Sequence, residues 1–570
     1  MKITVAKTAG FCMGVRRAVD MVLDASNLAD EPIFTYGPLI HNPQVLEMLE
    51  GKQIFRLDTI PETGEGIVLI RAHGVPPEDE KALADAGFTV INATCPRVVR
   101  VQVIINKFAK KGYATIIIGD KKHPEVVGLL GYARGKGHTV TSMAQLKELP
   151  QFENAVVVAQ TTQNTEFYKE IKDWCRANRP HYELFDTICG STQKRQDEVR
   201  ELAGTHDAVI VVGGKESGNT RRLAQVAAET GTVSTHIEDA GEIDYRSLSS
   251  ADAIAITAGA STPNWIIKDT CLKVDRSLRR RNPMTGKLAG VLEFLLNTNL
   301  LLAAGAACLT YGAAMIQGGN QTHVHALIAM LYVLSMQIMN NTMTIRSDTY
   351  NKPDRAAFYR QYGIWLKLLA GIAGVTGLYL AYTRGWVSFG MLLTMTLLGL
   401  SYNLNVIPKV WGRRRIYRIK DVPGSRTILI AAAWGVVTSA LPAVAGGLPL
   451  PAATVAFFYS AGLVFARTAF VDVLAVQGDR IAGKETLPIL LGKKKSMRVV
   501  RLVLTATTGV AVGSFFLDSG GNGGFWLAII PLFMLLLIKL YKEDSVLSGS
   551  PYEFLFESLF LLAGLTAAAI

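Results

Sequence analysis

From about residue 286 onward the sequence is built of apolar blocks long enough to cross a bilayer, and nothing constrains the fold more. An apolar helix of about 20 residues spans the hydrocarbon core, and inside it only helices satisfy such a chain's backbone groups. Nine blocks follow one another, at approximately 297–316, 323–343, 366–383, 386–404, 427–446, 451–470, 498–517, 524–540 and 552–570. The mean hydropathy of +0.25 therefore averages over two solvents. The net charge of +12 is averaged in the same way. It is large enough for a nucleic-acid binder, but the positive residues sit mainly between the apolar blocks, so no nucleic-acid partner is expected.

Before residue 280 the pattern is that of a soluble α/β protein. Short β-branched runs, ITV at 3–5, VLI at 68–70, TIII at 115–118 and AVVV at 155–158, alternate with charged helical stretches. The opening residues run into a strand and a Gly-Phe-Cys turn rather than an apolar leader, which places this part in the cytoplasm. Six cysteines in 570 residues are too few for a disulfide scaffold.

Three of them share one context. Cys12 in AGFCMGVRRAV, Cys95 in NATCPRVVRV and Cys189 in FDTICGSTQKRQDEV each stand where a strand gives way to a helix, at spacings of 83 and 94 residues. Thiolates at helix N-termini are favoured by unpaired N–H groups and the helix dipole, and make good metal ligands. Three of them on a [4Fe–4S] cluster would leave one iron open to substrate. Three-cysteine zinc, with hydrolytic or lyase chemistry, is an alternative, and so are three small apolar fillers beside turns. Polar residues occupy similar corners: His41 in GPLIHNPQV, His73 in RAHGVPP, His123 and Glu125 in KHPEV, Thr161 and Thr162 in QTT, Ser217 and Asn219 in GGKESGNTRRL, and Ser261 in TAGASTP. Glycine-rich turns with hydroxyl and amide side chains suit phosphate oxygens, although each alone reads equally as a turn.

In their order and spread, GFCMGV, LIHN, RAHG, ATCP, HPEV, AQTT, TQKRQ, GGKESGNTRRL and TAGAS resemble the 4-hydroxy-3-methylbut-2-enyl diphosphate reductase family. The resemblance implies three pseudo-equivalent α/β lobes around a [4Fe–4S] cluster held by Cys12, Cys95 and Cys189. It implies a diphosphate pocket of His41, His73, His123, Ser217, Gly218, Asn219 and Ser261, with Thr161 near the substrate hydroxyl and Glu125 supplying protons. Gly218 stands where the family commonly has Ser, which keeps a backbone N–H and loses a hydroxyl. No nucleotide-cofactor fingerprint is evident, which points to ferredoxin or flavodoxin as electron donor.

Residues 276–290, overlapping the basic run KVDRSLRRRNPMTGK at 273–287, read as a juxtamembrane linker between domains at 1–275 and 291–570. With the first half inside, the inner loops collect Arg346, Lys352, Arg355, Lys409, Arg413, Lys420, Arg480, Lys484 and their neighbours, against Arg384 outside. That asymmetry predicts nine spans in the inner membrane and an external C-terminus. Two inner loops carry paired acidic segments suited to Mg²⁺ bridging a diphosphate, MNNTMTIRSDTYNKPDR and RTAFVDVLAVQGDRIAGKETLPILLG; ordinary loops with Asp as helix cap are the alternative. The second segment, with YNLNVIPKVWGRRRIYRIKDVPGSRTILIAAAWG, resembles the UbiA-type intramembrane prenyltransferases. That likeness assigns a magnesium diphosphate to Asn340, Asp348, Asp472 and Asp479, helped by Lys409 and Lys420, and implies prenyl transfer to a lipophilic acceptor. Thr344 and Ala475 stand at expected acidic positions. The combined expectation is a bifunctional isoprenoid-diphosphate enzyme, with a membrane-anchored redox sensor or scaffold as the rival.

Overall fold

The computed structural model describes residues 2–29, 31–248, 251–279, 283–319, 323–401, 424–484, 486–516, 523–541 and 549–569. It divides into two compact units, Met1–Leu278 and Arg279–Ile570.

The first unit contains three four-stranded sheets, every pairing in them parallel. The apolar runs of the sequence form their central strands. In Ala114–Ile118, Ile116 and Ile118 enter one hydrophobic cluster while Ile117 enters another, and Val157 is divided from Val156 and Val158 in the same way. A strand covered on both faces has no polar side to alternate with, hence TIII and AVVV. One sheet runs Ile54–Leu57, Ile33–Tyr36, Ile67–Ile70, Thr89–Asn92, and a second Gly137–Val140, Ala114–Ile118, Ala155–Ala159, Glu183–Leu184. The third joins the beginning and end of the unit, in the order Lys2–Val5, Ala253–Ala258, Ala208–Val212, Val233–Ile237.

This order places the site. Each of the three cysteines follows an edge strand, Lys2–Val5, Thr89–Asn92 or Glu183–Leu184. The two central strands of each sheet lead at their C-terminal ends to the polar corners: His41 and His73, His123 and Thr161, Ser217 and Ser261. In parallel α/β sheets, that end is where ligands bind.

The second unit is all-α. Seven described helices are long and apolar enough to cross a membrane: Leu300–Gln317, His323–Asn351, Pro353–Thr383, Ser425–Gly446, Leu450–Ile481, Lys493–Phe516 and Pro551–Ala569. Two of the nine expected blocks fall on shorter apolar helices, Trp386–Ser401 and Gly524–Leu540. Ile364, Trp365, Leu368 and Ile372 are exposed on Pro353–Thr383, as a lipid-facing surface requires.

Three sequence expectations change here. The segment around Asn340 and Asp348 is not a loop, because His323–Asn351 continues through it and Lys352 alone separates that helix from Pro353–Thr383. The second acidic segment likewise belongs to Leu450–Ile481 as far as Ile481. Much of the expected linker is helical too, within Asn264–Arg279 and Pro283–Asn297. Buried ion pairs let charged residues continue membrane helices: Glu553 receives Lys352, Arg355 and Arg467, and Glu557 pairs with Arg467. These pairs fasten the last helix to the start of Pro353–Thr383 and to Leu450–Ile481.

Ile117 tests the doubly covered sheet. Ile117→Ala is expected to remove about 2–5 kcal/mol of stability from the first unit, read as faster hydrogen exchange of the 114–118 amides. Unchanged exchange would show that the strand's second face is not packed.

Candidate active sites in the two halves

Cys12, Cys95 and Cys189 are the N-cap residues of Met13–Leu28, Pro96–Ala109 and Gly190–Ala203. Their amides are fixed to other corners of the unit: Cys12 N donates to Ala260 O at 3.1 Å, Cys95 N to Ala72 O at 2.9 Å and Cys189 N to Thr161 O at 2.9 Å. Ala260 and Ala72 adjoin Ser261 and His73, so every cysteine is tied to a polar corner residue or its neighbour. Gly14 packs against the Cys95 sulfur, where a methyl group would collide with it. The Cys95 thiol is pushed up by burial first, and Cys12 and Cys189 are close enough to add to that effect. All three are half-buried, in contrast to the buried Cys175 and Cys271.

Three helix-capping thiols, of which Cys95 lies within electrostatic reach of the other two, form a donor set that an iron–sulfur cluster could use, one thiolate per iron.

Beside them His41, His73 and His123 meet, each offering a ring nitrogen within 4.8 Å of the others, close enough to hold a metal ion. His123 Nδ1 accepts from Glu125 N at 3.1 Å, which leaves Nε2 to carry the proton of the neutral ring. Burial lowers all three histidines, His73 well below the ordinary value and His123 to about 4; neighbouring histidines add to it for His73 and His123, and the Arg71 guanidinium adds to it for His41. Ser217 caps Gly218–Glu229, and Ser261 Oγ donates to His41 O and Ser217 Oγ at 3.1 and 3.2 Å. Asn219 Nδ2, His41 Nε2 and His73 Nδ1 are buried and have no hydrogen-bond partner among the described residues. Buried polar atoms without partners are costly, and here they lie at one helix N-terminus and one histidine cluster, an arrangement fit for a polyanion.

Glu125 is 1% exposed. Its Oε1 accepts from Thr161 N at 2.7 Å and its Oε2 from Thr161 Oγ1 at 2.9 Å. Burial raises the carboxyl to about 7, against these two hydrogen bonds, which lower it.

In the membrane half Asp472 is buried, accepts from Thr427 Oγ1 at 3.1 Å and lies 3.5 Å from the Arg426 guanidinium. Asp479, also buried, accepts from Asn351 Nδ2 at 3.0 Å and lies 3.5 Å from Lys484. Lys484 is within electrostatic reach of Asp348 as well, which joins the two acidic segments into one site. Asn340 and Arg426 line a cavity of about 280 Å³ whose other walls include Met336, Met339, Met395 and Trp434. Lys409 and Lys420 lie outside the described residues.

The profile of the LytB protein family matches residues 3–275, and that of the UbiA prenyltransferase family residues 300–561. The 4-hydroxy-3-methylbut-2-enyl diphosphate reductase of Citrifermentans bemidjiense is 40% identical over 271 residues, 47% of this chain and 95% of the relative. The chain belongs to the 4-hydroxy-3-methylbut-2-enyl diphosphate reductase family. Its relative from Aquifex aeolicus is 40% identical over 274 residues, 47% of this chain and 93% of that protein. A solved structure titled as that reductase, the terminal enzyme of the non-mevalonate pathway, is 38% identical with a TM-score of 0.40, covering 48% of this chain and 99% of its own. The first half is thus an oxidoreductase fused to a UbiA-like membrane domain.

Within this reductase family member, Gly218 leaves space: a Cβ there would stand 3.5 Å from His123 Nε2, an ordinary contact. The missing hydroxyl is therefore not imposed by packing. Sequence reasoning missed Arg195, which is 3% exposed and donates to Ala258 O at 3.0 Å and Gly10 O at 2.7 Å. Cys12 and Cys189 are both within its electrostatic reach. A buried cation held by neutral carbonyls offsets negative charge on those thiols.

The value of Glu125 sets a pH dependence. Because the folded carboxyl titrates at about 7 rather than 4.5, its stabilisation of the fold is complete below pH 4.5 and is lost as pH rises through about 7. Reductase turnover is expected to fall through the same pH window. Glu125→Gln should lower it about 10²- to 10⁴-fold and abolish that limb. A Gln variant with ordinary turnover, or with the limb intact, would remove Glu125 from the proton path.

Proposed function

We propose that the first half, with boundaries near 1–275, reduces 4-hydroxy-3-methylbut-2-enyl diphosphate to isopentenyl and dimethylallyl diphosphates. The observation that carries this reading is the meeting of partnerless buried polar atoms at His41, His73 and Asn219 with the Glu125–Thr161 pair. His41, His73, His123, Ser217, Gly218 N–H, Asn219 and Ser261 bind the diphosphate. A neutral imidazole beside an arriving polyanion gains proton affinity, so binding draws protons into the pocket. Thr161 Oγ1 orients the substrate hydroxyl and passes on the proton held at Glu125 Oε2, 2.9 Å away. Cys12, Cys95 and Cys189 would hold a [4Fe–4S] cluster, which when bound supplies electrons and a Lewis-acidic iron. Three pseudo-equivalent lobes, one per sheet, surround it, and ferredoxin or flavodoxin is the electron donor.

The membrane half, near 291–570 after a linker at 276–290, is a Mg²⁺-dependent prenyltransferase in this reading. Its seven long and two short apolar helices make nine spans of the inner membrane, with the reductase half in the cytoplasm. Asn340, Asp348, Asp472 and Asp479, with Lys409 and Lys420, would hold a magnesium diphosphate whose charge leaves as pyrophosphate. The methionine-lined cavity receives the prenyl chain and a lipophilic acceptor attacks it. One observation favours a second reading, a non-catalytic anchor or redox-sensing scaffold. Asp472 and Asp479 already have cationic partners in Arg426 and Lys484, and the middle acidic positions are Thr344 and Ala475.

Two experiments test the halves. Cys12→Ser, Cys95→Ser and Cys189→Ser should each eliminate the iron–sulfur absorbance and reductase turnover; full turnover in an iron-free preparation would overturn the cluster. Washed membranes should transfer a labelled prenyl group with Mg²⁺, and Asp472→Asn should reduce transfer at least about tenfold. No transfer to a broad acceptor panel, with no diphosphate binding, would leave the anchor reading.

A further inference from the structure

The three helices capped by cysteines begin without an acidic residue in any first turn. Two of those first turns lie together. Gly14 packs on the Cys95 sulfur, and Arg17 Nη1 donates to Thr94 O at 3.0 Å. From there the first turns and those that follow carry Arg16, Arg17, Arg97 and Arg100, all exposed, together with exposed apolar residues. Met13 there is 64% exposed, Val99 39% and Val103 60%. Pro96–Ala109 has no acidic side chain along its whole length. Asp20 and Asp24 lie one to three turns deeper on the other helix, away from its capped end.

A basic patch with exposed apolar side chains, on the two helices that the half-buried Cys12 and Cys95 cap, has the chemistry of a transient protein contact. We propose that the rim formed by the first turns of Met13–Leu28 and Pro96–Ala109 is the docking surface for an acidic one-electron carrier protein. This rests on the reductase reading and adds where its partner lands. Two reduced carriers dock in succession and each leaves one electron. The C–O bond of the allylic alcohol breaks, its oxygen leaves as water with one proton, and the electron pair with a second proton forms the new C–H bond. An anionic lipid surface is the rival occupant, but it offers no reason for the patch to lie on the helices that the cysteines cap.

The test uses the full chain in detergent with two electron sources, reduced ferredoxin as the acidic carrier and reduced methyl viologen as a small mediator. Arg97→Glu/Arg100→Glu is expected to raise the KM for ferredoxin at least about tenfold at low salt and to flatten its salt dependence. Viologen-driven turnover should stay unchanged, and Arg16→Glu should act in the same direction. An unchanged ferredoxin KM overturns the surface. So does an equal loss with both donors, which would mark a structural effect. If the double variant loses binding to anionic vesicles while its ferredoxin KM stays put, the patch belongs to a membrane. An unsubstituted chain with no iron–sulfur absorbance and no viologen-driven turnover instead defeats the reductase reading itself.

Discussion

The amides of Cys12, Cys95 and Cys189 are bound to the carbonyls of Ala260, Ala72 and Thr161, and the geometry of the soluble site follows from those three hydrogen bonds. In each case the acceptor is a pocket residue or its neighbour, lying just past a central strand. Thiols and polar corners therefore cannot drift apart without breaking a buried backbone bond, and a backbone group left unpaired in that interior has no water to turn to. Parallel sheets make the arrangement possible. Within each sheet all strands end in the same direction, so the six central strands of three sheets deliver three histidines, a threonine and two serines to the corners of the site.

The same burial then acts in opposite senses on acids and bases. It raises Glu125 to about 7 and lowers His41, His73 and His123, so both kinds of group carry less charge near neutral pH than they would in water. A pocket that carries little charge of its own is cheap to keep dry, and responds strongly when a polyanion arrives. Arg195 is the contrast. Guanidinium cannot shed its proton under these conditions, so it is tolerated in the core only with fixed acceptors and anionic neighbours.

Features that depend on a few adjacent residues were legible in the sequence. Cysteine beside glycine or proline at a strand-to-helix corner is such a signal, and all three are N-caps. The apolar runs and the change of solvent near residue 280 were equally plain. Arg195 was hidden because TQKRQDEVR reads as a solvated helix face; its burial is decided by Gly10 and Ala258, 185 and 63 residues away. The acidic membrane segments failed for a related reason. Charge in an otherwise apolar chain signals a loop, but Arg355 and Arg467 lie within helices and find Glu553 and Glu557 on the final helix, so their charge is compensated without a loop.

Once those segments are helical, Thr344 and Ala475 acquire a definite place. Asn340, Thr344 and Asp348 recur every four residues, and Asp472, Ala475 and Asp479 at three and four, so each set shares one helix face. Each face keeps its outer polar residues and loses charge in the middle. Carboxylates repel one another unless a cation intervenes; Arg426 pairs with Asp472 and Lys484 with Asp479, while Asp479 Oδ2 is buried with no hydrogen-bond partner among the described residues. Any metal diphosphate that binds there must displace those cations or recruit them. Recruitment is the cheaper course, because a basic side chain turned from a carboxylate to a phosphate keeps its charge compensated throughout.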